Sequence, residues 1–216
     1  MALIGNTGSG KSYLLSQILG RVGLAGGSVW LGDFKNSEDY ILDPDPVRHR
    51  WYGRETYTQA ITDFEAVVTA RIEKRDLSRE LCVLCLEEYG SYLNSLEKKE
   101  FEIVKKSVAN LLYMSRFTNC FLFVCSQRLY AEQVLGRDML TNCIMLASPS
   151  RQSLQAFLDA EDYKEMKSLG QGEGYLIREG KGKPLEITVP TITRPEKLQA
   201  AILKAVTREN LTKKEK

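Results

Sequence analysis

The segment GNTGSGKS at residues 5–12 has residue types and a spacing suited to holding the phosphates of a nucleotide. Glycines let backbone N–H groups turn toward an anion, Lys11 can reach the outer phosphates, and the hydroxyl of Ser12 can ligate magnesium. The pattern is a complete P-loop, or Walker A motif. It predicts a site for ATP with Mg²⁺, with Ser12 on the metal and eight residues around the nucleotide: Gly5, Asn6, Thr7, Gly8, Ser9, Gly10, Lys11 and Ser12.

The residues on either side of this motif have the pattern that a P-loop requires. An apolar run at 2–4 precedes it and predicts a strand, and apolar residues recur at helical spacing after it: Leu14, Leu15, Ile18, Leu19 and Val22. The amino terminus of that helix would then point at the phosphates, which favours binding of an anion.

An acidic pair, Glu87 and Glu88, follows directly after the apolar segment LCVLCL at 81–86. ATP hydrolysis needs a carboxylate on the magnesium side and a base that orients the attacking water, and we expect both at the tip of a strand neighbouring the P-loop strand. We assign Glu87 to the metal and Glu88 to the water. The alternative is that both glutamates simply open the next loop, and Glu87 is one methylene longer than the aspartate usual in a Walker B motif.

A second polar group, Ser126 to Arg128, follows the apolar segment CFLFVC at 120–125. Ligands of open α/β sheets lie beyond the carboxyl ends of the strands. Gln127 is therefore a candidate for sensing the γ-phosphate or positioning the water, the alternative being an ordinary polar loop.

The order of apolar runs and helical patterns predicts an α/β fold with a mainly parallel central sheet and helices on both faces. The predicted strands are 2–4, 28–34, 81–86, 120–125 and 143–147, and two of the predicted helices cover about 57–75 and 97–116. A hairpin with Gly180 and Gly182 in its turn follows, and Pro195 begins a last helix. A chain of 216 residues suits one such domain.

Composition excludes few functions. With 43% hydrophobic and 27% charged residues, the chain has the composition of a globular protein, and its net charge of +2 neither favours nor opposes nucleic acid as a partner. The five cysteines lie in apolar stretches. Cys82 and Cys85 have redox or zinc spacing, but on a strand they would point to opposite faces, so we interpret the cysteines as buried thiols of a cytoplasmic protein. The single histidine, His49, is given no catalytic role.

The ordered set of motifs resembles the FtsK/SpoIIIE branch of the FtsK–HerA motor ATPases over nearly the whole chain. Beyond the two Walker segments, VWLGDFKNSE is similar to the family's second strand ending in Asp-Pro-Lys, here Asp33, Phe34 and Lys35. MSRFTNCFLFVCSQRL is similar to the stretch in which an arginine, here Arg116, precedes a strand ending in Thr-Gln-Arg.

The resemblance implies a RecA-like core that works as a homo-oligomeric ring, a hexamer, and uses ATP and Mg²⁺ to move double-stranded DNA in conjugation or chromosome segregation. It also implies that Arg116 acts as an arginine finger across a subunit boundary, whereas the sequence alone would place Arg116 at a solvated helix end. Movement of a protein substrate, and a degenerate module that binds nucleotide without hydrolysing it, are the alternatives.

We expect residues 1–208 to form a single motor domain, abbreviated at its start, and 209–216 to form a charged tail. Anchoring would then come from a membrane-anchored partner or a missing domain. The segment 36–56 matches no part of the family's pattern. Its arginines and rings could bind nucleic acid or could form a plain surface loop: Arg48, Arg50 and Arg54, with Trp51, Tyr52 and Tyr57 nearby.

Overall fold

A computed structural model of the chain describes residues 1–36, 48–133, 139–155, 157–158, 164, 166–178 and 183–207. Its helices are α1 (Lys11–Leu24), α2 (Tyr57–Ile72), α3 (Tyr89–Asn94), α4 (Lys98–Met114), α5 (Arg151–Gln155) and α6 (Pro195–Val206). Its strands are β1 (Ala2–Gly5), β2 (Ser28–Asp33), β3 (Trp51–Tyr52), β4 (Cys82–Glu87), β5 (Cys120–Ser126), β6 (Asn142–Leu146), β7 (Glu173–Arg178) and β8 (Leu185–Thr188).

The strands form one mixed sheet in the order β3-β2-β4-β5-β1-β6-β7-β8. The first six in this order run parallel, while β7 is antiparallel to β6 and β8 to β7. The predicted α/β class, the mainly parallel sheet and the late antiparallel strands are therefore confirmed. The predicted turn residues Gly180 and Gly182 lie outside the described residues.

Helices cover both faces of this sheet, which explains why its strands are apolar at successive positions. On one face Leu84 and Leu86 of β4 pack in a core that includes Phe64 of α2 and Val108 of α4. On the other face Val83 and Cys85 pack in a core formed by α1 and α6, which includes Leu15, Leu19 and Ile202. The alternating side chains of one strand thus enter two different cores.

Several predicted boundaries were too long. The helix predicted to reach residue 75 ends at Ile72, and that residue is 46% exposed, whereas Ile61, Phe64 and Val68 of the same helix are buried. The helix predicted over 97–116 ends at Met114, and a one-turn 3-10 helix, Ser115–Thr118, follows it. Phe34 lies beyond the end of β2.

The structure contradicts both interpretations of the segment 36–56 for its aromatic rings, while residues 37–47 lie outside the described residues. Trp51 and Tyr52 form β3 at the edge of the sheet, and the side chains of Trp51, Tyr52 and Tyr57 are fully buried. Buried rings cannot stack on nucleic-acid bases, and they do not form a surface loop. The guanidinium groups beside them pack on the same core, with Arg50 4.7 Å from the ring centre of Trp30 and Arg54 4.6 Å from that of Phe34.

The cysteines are buried free thiols, as predicted, with Cys82 and Cys85 in the cores on opposite faces of the sheet. Within the described residues, no helix has the length and apolar character needed to cross a membrane.

Candidate nucleotide-binding site

The P-loop connects the end of β1 at Gly5 with the start of α1 at Lys11, as its flanking patterns predicted. Gly8 and Gly10 have left-handed backbone conformations, with φ of +80° and +94°, which a side chain would oppose. A Cβ on Gly5 would overlap Ser9 Oγ. The loop is therefore wound tightly enough to need its glycines, and its residues line a cavity at the amino terminus of α1.

The acidic pair comes from β4, and the position of that strand corrects one expectation. β4 does not neighbour β1, because β5 lies between them and pairs with both. Because these strands are parallel, their carboxyl ends nevertheless lie on the same side of the sheet. Lys11 Nζ lies 2.9 Å from Glu88 Oε1, although 77 residues separate the two in sequence, and both side chains are buried.

Glu87, the other member of the acidic pair, contacts the serine of the P-loop. Ser12 Oγ donates a hydrogen bond of 3.4 Å to Glu87 Oε1, so the two predicted magnesium ligands adjoin each other. Hydroxyl and carboxylate oxygens suit Mg²⁺, which binds through few protein ligands together with phosphate oxygens and water. No cluster of three or more His, Cys, Asp or Glu side chains suited to a metal occurs among the described residues. This pair therefore fits a metal that arrives with a nucleotide.

Lys35 is a second cation of the site, and its role was not predicted from the sequence. Its ammonium lies 2.7 Å from Glu88 Oε1, the oxygen that also receives Lys11. A hydrogen bond of 3.1 Å from Lys35 N to Asp33 Oδ1 fixes the turn after β2 that carries it. The similarity of residues 33–35 to the Asp-Pro-Lys segment was the signal that could have identified Lys35.

Two further side chains complete the surroundings of Glu88. Gln127 Nε2 lies 3.5 Å from Glu88 Oε1, and Ser91 Oγ donates a 3.3 Å hydrogen bond to Oε2. Gln127 thus lies beyond the carboxyl end of β5 and lines the cavity, as its position after a strand predicted. Glu88 itself has a left-handed backbone, with φ of +53°, at the start of α3. A non-glycine residue in this conformation is strained, and such strain is concentrated at functional sites.

These contacts determine the charge states of the central pair. Burial by itself raises the pKa of Glu88, but the hydrogen bond from Lys35 and the charge of Lys11 outweigh it, so the net pKa lies below the ordinary value. Burial lowers the pKa of Lys11, yet the hydrogen bond and the charge of Glu88 raise it above its usual range. Both groups are therefore ionised near neutral pH.

A cavity of about 330 Å³ lies over this group, a size suited to a small-molecule ligand. Its walls combine the P-loop, the residues that surround Glu88, and two residues from elsewhere, Tyr13 and Gln171. Ser9 Oγ is buried beneath the loop and, within the described part of the chain, has no hydrogen-bond partner. The glycine cradle, the cations and the hydroxyl–carboxylate pair therefore fit a magnesium–triphosphate.

Arg116 lies near the amino ends of the parallel strands, whereas the candidate site lies at their carboxyl ends. The structure describes its backbone, in the 3-10 helix before β5, but not its side chain. β5 runs from Cys120 to Ser126, so its two ends are about 20 Å apart at ~3.3 Å per residue. The structure thus brings Lys11, Ser12, Glu87, Glu88 and Gln127 together and leaves Arg116 on the far edge.

The fold matches solved ATPase structures along most of the chain. The conjugation coupling protein TcpA of pCW3, solved with ATPγS, has a TM-score of 0.73 and 15% identity, covering 94% of this chain and 64% of its own. The cytoplasmic domain of the type VII secretion ATPase EccC from Thermomonospora curvata has a TM-score of 0.67 and 16% identity, covering 97% of this chain and 28% of its own.

A third neighbour is the DNA-packaging ATPase B204 of Sulfolobus turreted icosahedral virus, with a TM-score of 0.61, 16% identity, and coverage of 88% of this chain and 97% of its own. These neighbours are FtsK/HerA-type ATPases, so the resemblance noted in the sequence is confirmed in the fold. No family profile matches the chain, and no curated protein sequence matches it. This chain spans less than two thirds of TcpA and of EccC.

Proposed function

We propose that this chain, which has the fold of the FtsK/HerA-type ATPases, hydrolyses ATP to drive the movement of double-stranded DNA. The observation that carries the proposal is the buried ion pair of 2.9 Å between Lys11 and Glu88. It joins the P-loop lysine to a carboxylate at one cavity, and this supports a base beside the phosphate that hydrolysis would release.

The contacts of Glu88 support a role as the base. Its Oε1 accepts hydrogen bonds from both lysines. A bound triphosphate offers Lys11 a stronger anionic partner, which frees that oxygen to accept the proton of the attacking water. Gln127 adjoins the same oxygen and would orient the water, while Lys35 offers a second positive charge to the outer phosphate.

Ser12 and Glu87 would hold the metal. When bound there with nucleotide, Mg²⁺ would supply positive charge that offsets the negative charge of the phosphates. The 3.4 Å contact between their oxygens is what supports this assignment.

We further propose that the working form is a homo-oligomeric ring, a hexamer. The backbone of Arg116 precedes β5, at the end of that strand away from the P-loop of the same chain, and this position supports a role for Arg116 as an arginine finger at the site of another copy. The same end has a groove of about 660 Å³ beside exposed apolar side chains, with Phe117 87% and Leu77 78% exposed. Exposed apolar residues of this size favour contact with another protein surface.

Double-stranded DNA is the proposed substrate because two of the neighbours are a conjugation coupling protein and a DNA-packaging ATPase. A protein substrate is the second candidate, favoured by the likeness to the secretion ATPase EccC. We propose residues 1–208 as one motor domain and 209–216 as a tail, working with a membrane-anchored partner or a further domain in the cytoplasm.

The test is ATP turnover by the purified chain with and without long duplex DNA across a salt series. Turnover stimulated by DNA, with stimulation that fades as salt rises, is the expected result, because phosphate contacts are salt-dependent. Turnover that ignores DNA would shift the assignment to a protein substrate. Nucleotide binding without turnover at any protein concentration would identify a non-hydrolysing module.

A further inference from the structure

Tyr13 follows the P-loop directly, and the Walker motifs give its side chain no role. The residue lines the same cavity as Gly8, Lys11 and Glu88, and it is 42% exposed. A partly exposed ring that lines a ligand cavity is free to stack on a ring of the ligand, an arrangement that aromatic side chains favour. The contacts of Tyr13 show how the ring is oriented.

The hydroxyl end of Tyr13 is held in place by a distant part of the chain. Ile192 N donates a 2.6 Å hydrogen bond to Tyr13 Oη, 179 residues along the sequence. One helical turn further, Gln17 Nε2 donates a 2.7 Å hydrogen bond to Pro190 O. The segment 189–193 is thus tied to the first turns of α1, and the orientation of the tyrosine ring is restricted.

The same segment is tied to the P-loop through the turn that precedes β7. Val189 N donates to Gly172 O at 2.7 Å, and Gly172 N donates to Ser9 O at 3.1 Å. Gln171 of this turn also lines the cavity. These backbone contacts therefore link the P-loop, the 170–172 turn and the segment that contains the partner of Tyr13.

The chemistry of a P-loop determines the direction in which a triphosphate would lie in this cavity. Its terminal phosphate belongs at Lys11, beside Glu88, and its inner phosphates belong at the backbone N–H groups where α1 starts. The nucleoside then leaves the cradle past the residue that follows Ser12. That residue is Tyr13.

We propose that the ring of Tyr13 is the stacking platform for the purine base of the bound nucleotide. The assignment rests on the proposed function, since it needs a nucleotide in the cradle, and it adds a site for the base to the site for the phosphates. Stacking on an aromatic face is tolerant of base identity but depends on base size. The platform therefore favours purine over pyrimidine nucleotides.

Isothermal titration calorimetry with Mg²⁺ tests the assignment with three ligands: ATP, UTP and inorganic tripolyphosphate. Tyr13→Ala should weaken ATP binding about 5- to 150-fold, the range that base–aromatic stacking contributes. It should leave tripolyphosphate within about twofold and remove most of the preference for ATP over UTP. Tyr13→Phe keeps the ring and should retain most of the ATP affinity.

Phe121→Ala is the matched control, because Phe121 is also 42% exposed but lies near the start of β5 and lines neither the cavity nor the groove. It should change no affinity. Unchanged ATP binding by Tyr13→Ala would overturn the platform, and so would equal losses for ATP and tripolyphosphate, which would reveal a distorted P-loop. If the unaltered chain bound neither ATP nor tripolyphosphate, the proposed function itself would fail, and the platform with it.

Discussion

Lys35 Nζ donates a 2.7 Å hydrogen bond to Glu88 Oε1, across 53 residues of sequence, and so shares one carboxylate oxygen with Lys11. The two lysines differ in their surroundings. Lys11 is buried, whereas the side chain of Lys35 is 48% exposed and carried on the turn after β2. Glu88 is therefore held by one fixed and one accessible cation, and the accessible one can change partners at little cost.

Replacing Lys35 by methionine should move the acid limb of the pH profile of kcat/KM to higher pH. Burial raises the pKa of Glu88, while the hydrogen bond from Lys35 and the charge of Lys11 lower it to a net value below normal. Removing Lys35 therefore raises that pKa, and a base is lost as pH falls through its pKa. Lys35→Arg keeps the charge and should leave the limb in place, and an unmoved limb in Lys35→Met would contradict the role.

Replacing Lys11 by alanine should abolish measurable binding of ATP, because the cradle then lacks the cation that meets the outer phosphates. Loss of one partner also leaves Glu88 with Lys35 as its remaining lysine, so we expect about 1–3 kcal/mol of lost stability. Calorimetry and thermal melting measure the two effects. Lys105→Ala is the control, since Lys105 is also buried but pairs with Glu102 on α4. Normal ATP affinity in Lys11→Ala would refute the site.

Replacing Glu88 by glutamine should preserve ATP binding and reduce turnover by at least about 100-fold, the lower bound for losing a positioned general base. Glutamine keeps the size of the side chain and part of its hydrogen bonding, so the fold should survive. Single-turnover hydrolysis with saturating ATP is the measurement, and Glu97→Gln, at the start of α4, is the control. Hydrolysis at the normal rate would show that another group accepts the proton.

Replacing Ser12 by alanine or Glu87 by glutamine should raise the Mg²⁺ concentration that gives half-maximal turnover, by roughly tenfold for each. The reason is that each change removes an oxygen from the adjoining pair at 3.4 Å. Titration of turnover with Mg²⁺ at fixed ATP is the assay. Glu87→Asp restores the usual Walker B residue and should retain activity. An unchanged Mg²⁺ requirement in both Ser12→Ala and Glu87→Gln would show that other residues bind the metal.

Mixing Arg116→Ala chains with Lys11→Ala chains should restore part of the ATPase activity that each lacks alone. Arg116 lies at the edge of the sheet opposite its own cradle, so an intact arginine of one copy would serve the intact cradle of the next. Activity is measured at concentrations where sedimentation shows assembly. Mixtures that assemble but stay inactive would exclude action between copies, and full activity of Arg116→Ala alone would exclude any role for it.

The sequence by itself predicted the glycine-rich loop between a strand and a helix and the acidic pair at the end of a buried strand. A P-loop is a local structure, because its glycine conformations and the following helix are encoded within some twenty consecutive residues. The position of Glu87 and Glu88 at the end of a strand was equally readable, since continuous apolar runs mark strands that are buried on both faces. For the same reason the class of fold and most strand positions were predicted correctly.

Tertiary structure alone decided the arrangements that join distant segments. Strand order depends on how helices pack across the whole sheet, so no local pattern revealed that β5 lies between β1 and β4. It was likewise packing, and not residue type, that buried Trp51 and Tyr52 beside polar neighbours. Only the folded chain brings Lys35 to Glu88 and Ile192 to Tyr13, because these contacts exist where the carboxyl ends of separate strands and the start of α1 come together.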